Sequence, residues 1–150
     1  MMQINKEIII NAPLKKAWSV FSNLEEWPEW SGFILKAYWT CPKKWAVDST
    51  FTQVIKGIGL VKRTSHPKII KIKLMHHVTW TGTGSLIKGV HTFKFEKINK
   101  KTKVINIEYF KGPLAPIIFP FIKNRFNTYF EQFLKGLKRK AENNERGELL

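Results

Sequence analysis

His91 and Glu108 are the two side chains best suited to move a proton, and a single turn separates the strands that carry them. Gly89–Lys97 and Thr102–Phe110 both alternate in the manner of strands, with Asn99-Lys100-Lys101 as the turn between them. A two-residue turn at Asn99-Lys100 sets His91 directly opposite Glu108 and Phe93 opposite Asn106. Directly opposed side chains share a face and lie within reach of each other. The series His91, Phe93, Phe95 points that face inward. An imidazole beside a carboxyl group in apolar surroundings is suited to act as a general base, or to orient the polar end of a ligand. It is also a common structural contact, because ion-pair networks perturb the same groups that catalysis uses. A three-residue turn would instead bring Ile105, Ile107 and Tyr109 inward and turn Glu108 to solvent. Those three residues are the more apolar alternation, so the residues alone favour this second register.

Other chemistry finds less support. His76 and His77 are adjacent and point to opposite faces of a strand, and no HExxH helix or cysteine cluster is present, so no metal site is expected. Cys41 is the one cysteine, which excludes an internal disulfide. No GxSxG elbow organises a serine nucleophile. Gly82, Gly84 and Gly89 form neither GxGxxG nor a P-loop, so no nucleotide cofactor is expected. Lys88–Phe95 keeps the opening Lys-Gly and the closing Phe of an RNA-recognition strand but lacks the residues between, which argues against nucleic acid as a partner.

The elements that must position these residues follow from periodicity. Ile4–Ile10 reads as a strand, and Asn11-Ala12-Pro13 stops it and starts a short helix that buries Leu14, Ala17, Trp18 and Phe21. Asn23-Leu24-Glu25-Glu26 resembles a capping box for a second short helix, ended by Pro28. Strands are then expected at Phe33–Trp39, Thr50–Gly59, Lys68–Met75 and His77–Gly82, ahead of the two already described. Gly112–Pro120 is Pro-studded, and Ile122–Ala141 is one long amphipathic helix with Ile122, Phe126, Tyr129, Phe130, Phe133, Leu134 and Leu137 in its apolar stripe. Trp18, Trp27 and Trp30 are expected to pack the short helices on the sheet, with indole N–H groups that need partners. The polar stretch 143–150 reads as a frayed tail.

The 150 residues suit one domain, and 43% hydrophobic with 25% charged residues is the balance of an ordinary globule. No apolar run approaches the roughly 18 residues of a membrane helix. The start, Met1-Met2-Gln3-Ile4-Asn5-Lys6-Glu7, lacks the apolar core of a secretory signal, so a cytoplasmic location is the simplest expectation. The net charge of +15 favours anions of some kind and leaves a weak contact with an anionic membrane as a third functional reading.

In order and spacing, Ala12-Pro13, Ala17-Trp18, Phe21 and Leu24-Glu25-Glu26-Trp27-Pro28-Glu29-Trp30 resemble the opening of START-like, helix-grip proteins of the SRPBCC superfamily, particularly the polyketide cyclase/dehydrase branch. Trp80, Gly82, Gly89-Val90-His91-Thr92-Phe93, Glu108-Tyr109-Phe110-Lys111-Gly112 and Leu137-Lys138 with Ala141-Glu142 are similar to the same branch, so the resemblance spans about residues 4 to 142. It implies an α+β fold in which a strongly curved antiparallel sheet of about seven strands grips the C-terminal helix, with two short helices after the first strand. It also implies the register that puts Val104, Asn106, Glu108 and Phe110 on one inward face, and a single ligand-binding domain over residues 1–142. Members of the superfamily carry lipids or hormones, cyclise polyketides or assist partner proteins, so the fold does not choose among activities.

The expectation is therefore a hydrophobic or amphipathic small molecule bound between sheet and helix, against walls that include Trp80, His91, Phe93, Phe110, Phe126, Tyr129, Phe130 and Phe133. His91, Glu108 and Asn106 would select its polar part. Access is expected past the loop Trp39–Asp48. The alternative is a cyclase or dehydratase in which His91 moves protons and Glu108 holds its tautomer.

Overall fold

The computed structural model describes residues 2–57 and 59–149, with side chains as far as Asn143. Strand β1 (Gln3–Ile10) leads into helix α1 (Leu14–Ser22), a 3-10 turn (Leu24–Glu26) and the short helix α2 (Trp27–Trp30). Strands β2 (Ile34–Trp39), β3 (Phe51–Lys56), β4 (Lys62–Ser65), β5 (Lys68–Lys73), β6 (His77–Thr81), β7 (Lys88–Ile98) and β8 (Lys101–Lys111) follow, and helix α3 (Ala115–Leu149) closes the chain. All neighbouring strands pair antiparallel, in the orders β1-β8-β7-β6-β5 and β2-β3-β4. The two sets join where Thr50 bridges Lys68 and the Phe51 N–H donates to the Pro67 carbonyl. Pro67, with no N–H to give, sits at the break between β4 and β5, where the chain turns from one set to the other. Helix α3 lies against β1, β8, α1 and α2, which completes the helix-grip α+β arrangement.

The β7–β8 turn decides the placement of everything that follows. Ile98 pairs with Lys101, so the turn holds two residues, and Asn99 takes the left-handed conformation (φ 55°) that such turns require. The pairing His91↔Glu108 and Phe93↔Asn106 results, and Thr102, Val104, Asn106 and Phe110 are buried on the inward face. Ile105 and Ile107 face outward and half-buried, and Tyr109 outward and exposed, contrary to what their apolar alternation favours.

Several boundaries also differ from expectation. Strand β4, Lys-Arg-Thr-Ser, has no apolar alternation to read, because it is a polar edge strand paired only with β3. Asn23 makes no side-chain cap; its carbonyl accepts from the Glu26 N–H in the 3-10 turn, so the capping box is not formed. Pro28 lies in the first turn of α2 instead of ending it, a position where the missing N–H has no helical partner to lose. For the same reason Pro116 is tolerated near the start of α3, and the helix begins at Ala115 where a loop is expected. It then runs through Pro120, forfeiting one backbone bond, and continues to Leu149 through the stretch expected to fray. Side chains from residue 144 onward lie outside the described residues.

The core is largely aromatic. Phe21 touches Trp27, Phe93, Phe95 and Phe133 with ring centroids 4.9–6.2 Å apart. Trp27 donates its indole N–H to the Phe21 carbonyl at 2.7 Å and Trp45 donates to Ser22 at 2.8 Å, whereas the buried Trp30 N–H has no partner among the described residues. These rings fill the half of the interior beneath Phe133, Leu134 and Leu137. The half beneath Phe126 and Phe130 is open.

Candidate functional site

That opening is a cavity of about 470 Å3. Strands β6, β7 and β8 supply Trp80, His91, Phe93, Asn106, Glu108 and Phe110 to its wall, and α3 supplies Phe126, Phe130 and Phe133. Every one of these positions follows from strand alternation or from the helical stripe. Tyr129 does not line it. Its ring stacks on Phe33 at 4.5 Å, and its hydroxyl donates to the Lys56 carbonyl at 2.9 Å, which pins α3 to the end of β3. The stripe places Tyr129 on the buried side, but one residue before Phe130 it is rotated about 100° away and meets β3.

Trp27, Phe33, Ile34, Ile55 and Arg63 also line the cavity, as do the segments 64–67 and 82–89, and all are absent from the sequence expectation. Trp27 packs as expected and also presents a ring surface to the cavity. Arg63 carried no signal because its strand has no apolar pattern. The loop Trp39–Asp48 contributes nothing to the cavity. It is fastened instead, with Trp45 bonded to Ser22 and packed on Trp18 and Trp39. The segments 63–67 and 82–89 line the cavity instead, with Phe126 as the first residue of α3 to do so.

The polar groups are gathered in one place. The imidazole of His91 is boxed by Trp80, Phe93 and Phe130 at centroid distances of 4.8–5.0 Å between rings. Its Nε2 hydrogen-bonds Oδ1 of the fully buried Asn106, and its Nδ1 stands 3.5 Å from Oε2 of Glu108. Gly89 makes room for the Glu108 carboxyl, because a Cβ there would overlap Oε1. Burial lowers the His91 pKa to about 4, partly offset by the bond to Asn106. Burial raises the Glu108 pKa to about 8, partly offset by the charge of Arg63.

At neutral pH both groups are therefore uncharged, a carboxylic acid beside a neutral imidazole. With Asn106 Oδ1 accepting from Nε2–H, the lone pair of Nδ1 faces Glu108, the one of the two groups that holds a dissociable proton. Asn106 Nδ2 is buried and has no partner among the described residues. A donor left bare in a cavity wall costs about 1–3 kcal/mol unless something accepts from it. Among the described residues no three His, Cys, Asp or Glu side chains come together in a way that could hold a metal ion.

A curved antiparallel sheet closed by a long C-terminal helix over an apolar cavity defines the START-like class. The family described as "Polyketide cyclase / dehydrase and lipid transport" matches residues 1–142, and the chain belongs to it. A search of curated proteins by sequence finds no match. Among solved structures, a protein from Thermus thermophilus superposes with a TM-score of 0.79 at 12% identity, covering 95% of this chain and 98% of that one. An aromatase/cyclase from Streptomyces sp. R1128 gives 0.79 at 9% identity, covering 93% of each chain. A START superfamily protein of Mycobacterium smegmatis gives 0.77 at 14%, covering 94% and 97%. At these identities the likeness is one of fold. Among the described residues no helix is long and apolar enough to cross a membrane.

Proposed function

We propose that the protein binds an amphipathic small molecule whose apolar body lies against Phe93, Phe110, Phe126 and Phe130 and whose hydrogen-bond acceptor meets Asn106 and Glu108. The observation that carries this reading is the buried, unpartnered Nδ2 of Asn106, a lining residue among the rings of Phe93, Phe110, Phe126 and Phe130. A volume of about 470 Å3 is within the range of roughly 300–1,000 Å3 usual for small-molecule sites. With His91 neutral and Glu108 protonated, the His91–Asn106–Glu108 cluster offers donors and no charge, so a carbonyl, hydroxyl or protonated acid is accommodated there without pairing an ion. The family description, with its lipid transport, supports the same reading.

A second reading is a cyclase or dehydratase. It rests on the neutral imidazole and neutral carboxylic acid 3.5 Å apart, which are suited to accept and donate protons in one step at pH 7. In it His91 Nδ1 takes a proton from substrate and Glu108 gives one.

Titration with an uncharged fluorescent polyene alcohol at pH 7 tests the binding reading. Saturable enhancement that is unchanged between about 50 and 500 mM salt supports a guest held by apolar burial, which screening does not reach. Enhancement that collapses with salt would assign the contact to surface charge and remove the cavity from the account.

A further inference from the structure

The cavity rim differs from the rest of the surface. The four most exposed large apolar side chains among the described residues lie in two segments that adjoin the cavity lining: Leu60 (101% exposed) and Val61 (67%) shortly before Arg63, and Ile117 (64%) and Phe121 (85%) in the turns before Phe126. Leu86, at 58%, stands beside them. They come from three separate segments that the fold draws together. The Leu114 N–H donates to the Leu86 carbonyl at 3.0 Å, which ties the β6–β7 segment to the start of α3. Arg125 donates to the Gly57 carbonyl at 2.7 Å, which ties the β3–β4 hairpin to the next turns of that helix. Ile117, Phe121 and Arg125 are spaced by four, so the two apolar residues continue along the helix flank that reaches the hairpin.

The charges in these segments have one sign. Residues 54–66, 81–90 and 111–129 hold Lys62, Arg63, Lys88, Lys111 and Lys123 among their cations and not one Asp or Glu. Scattered exposed apolar residues need no explanation, but five in three segments tied to one another beside one cavity form a patch. Exposed aliphatic and aromatic side chains in segments whose charges are all positive match a bilayer surface. The tips reach the acyl boundary while the ammonium groups stay at the headgroups. A nucleic-acid site draws its affinity from cations on phosphate, whereas Leu60, Val61, Ile117 and Phe121 leave most of their apolar surface bare here.

We infer that the cavity rim is a docking face for an anionic lipid membrane, with Leu60, Val61, Leu86, Ile117 and Phe121 inserting and the surrounding lysines holding the headgroups. Docked in this way, the cavity opens toward the bilayer. The inference does not depend on what the cavity holds, because the test uses vesicles without added guest.

The experiment is flotation of the whole protein with vesicles of phosphatidylcholine alone or with about 30% phosphatidylglycerol. Expected is binding to the anionic vesicles only, weakening as salt rises. Phe121→Asp and Leu60→Asp should each weaken it by about tenfold, and Lys62→Glu with Lys123→Glu by a similar factor. Leu74→Asp, at a side chain as exposed as Leu86 but at the other end of β6, should bind as the parent does. Because all these positions are at the surface, circular dichroism and melting temperature should stay unchanged. The proposal is overturned if the parent ignores anionic vesicles, or if the aspartate variants bind normally while the glutamate variants fail, which would show a purely electrostatic contact. Binding of a single-stranded oligonucleotide in place of vesicles would also overturn it.

Discussion

Gly136→Ala is expected to lower the melting temperature by about 4–8 °C, although alanine is the better helix former by about 1 kcal/mol. Gly136 is buried in the middle of α3, and a Cβ there would overlap the carbonyl oxygen of Trp30 and press on its ring. That oxygen belongs to the backbone of α2, which cannot rotate away as a side chain would. Overpacking of this kind costs about 1–3 kcal/mol, and rigid backbone on the far side puts the cost toward the upper end, so it outweighs the gain in propensity. Gly82→Ala, where nothing lies within 4 Å of the added carbon, should change stability by no more than about 0.5 kcal/mol. Thermal melts of the two variants separate the explanations. A Gly136→Ala protein that melts above the parent would show that the two helices are not in backbone contact at this point.

The polar cluster makes a second prediction, in the pH dependence of stability. Glu108 has a folded pKa of about 8 against an ordinary 4.5, so the folded state holds its proton more tightly and stability from this group is lost as pH rises toward 8. His91 has a folded pKa of about 4 against 6.5, so its contribution is complete above pH 6.5 and lost as pH falls toward 4. Between pH 4.5 and 6.5 the two slopes oppose and nearly cancel. Between pH 6.5 and 8 Glu108 acts alone, and stability should fall by on the order of 1 kcal/mol per unit, about 2 kcal/mol in all. Glu108→Gln keeps the shape and removes the titration, so its difference from the parent should shrink or reverse across this window. Melting curves at pH 6.5 and 8 check it. Parallel behaviour of parent and variant would place Glu108 in water, outside the cavity wall.

The long helix and the part of the cavity wall that it and β7 supply were legible because each is written in a period. Phe126, Phe130 and Phe133 recur every three or four residues, and His91 alternates with Phe93 and Phe95, so burial follows from position. The register of β7 on β8 was not legible from the residues themselves. Ile105, Ile107 and Tyr109 make an apolar row as good as the one that is buried, and only the conformation of Asn99 decides between them. The resemblance to helix-grip proteins chose correctly where alternation would not have. Arg63 and the segment 82–87 were hidden for another reason. They lie on a polar edge strand and on loop tips, where side chains follow the shape of the rim and not a repeat.

Binding of a guest requires an interior that admits one, and the most direct measurement is native mass spectrometry of the protein purified from its own host, with solvent extraction of anything that accompanies it. The predicted result is a second population heavier than the chain by the mass of one small molecule, released by organic solvent and found in the extract as an amphipath bearing a carbonyl, hydroxyl or acid group. A single population at the mass of the bare chain, in a preparation that also fails to take up the fluorescent polyene alcohol, would contradict it.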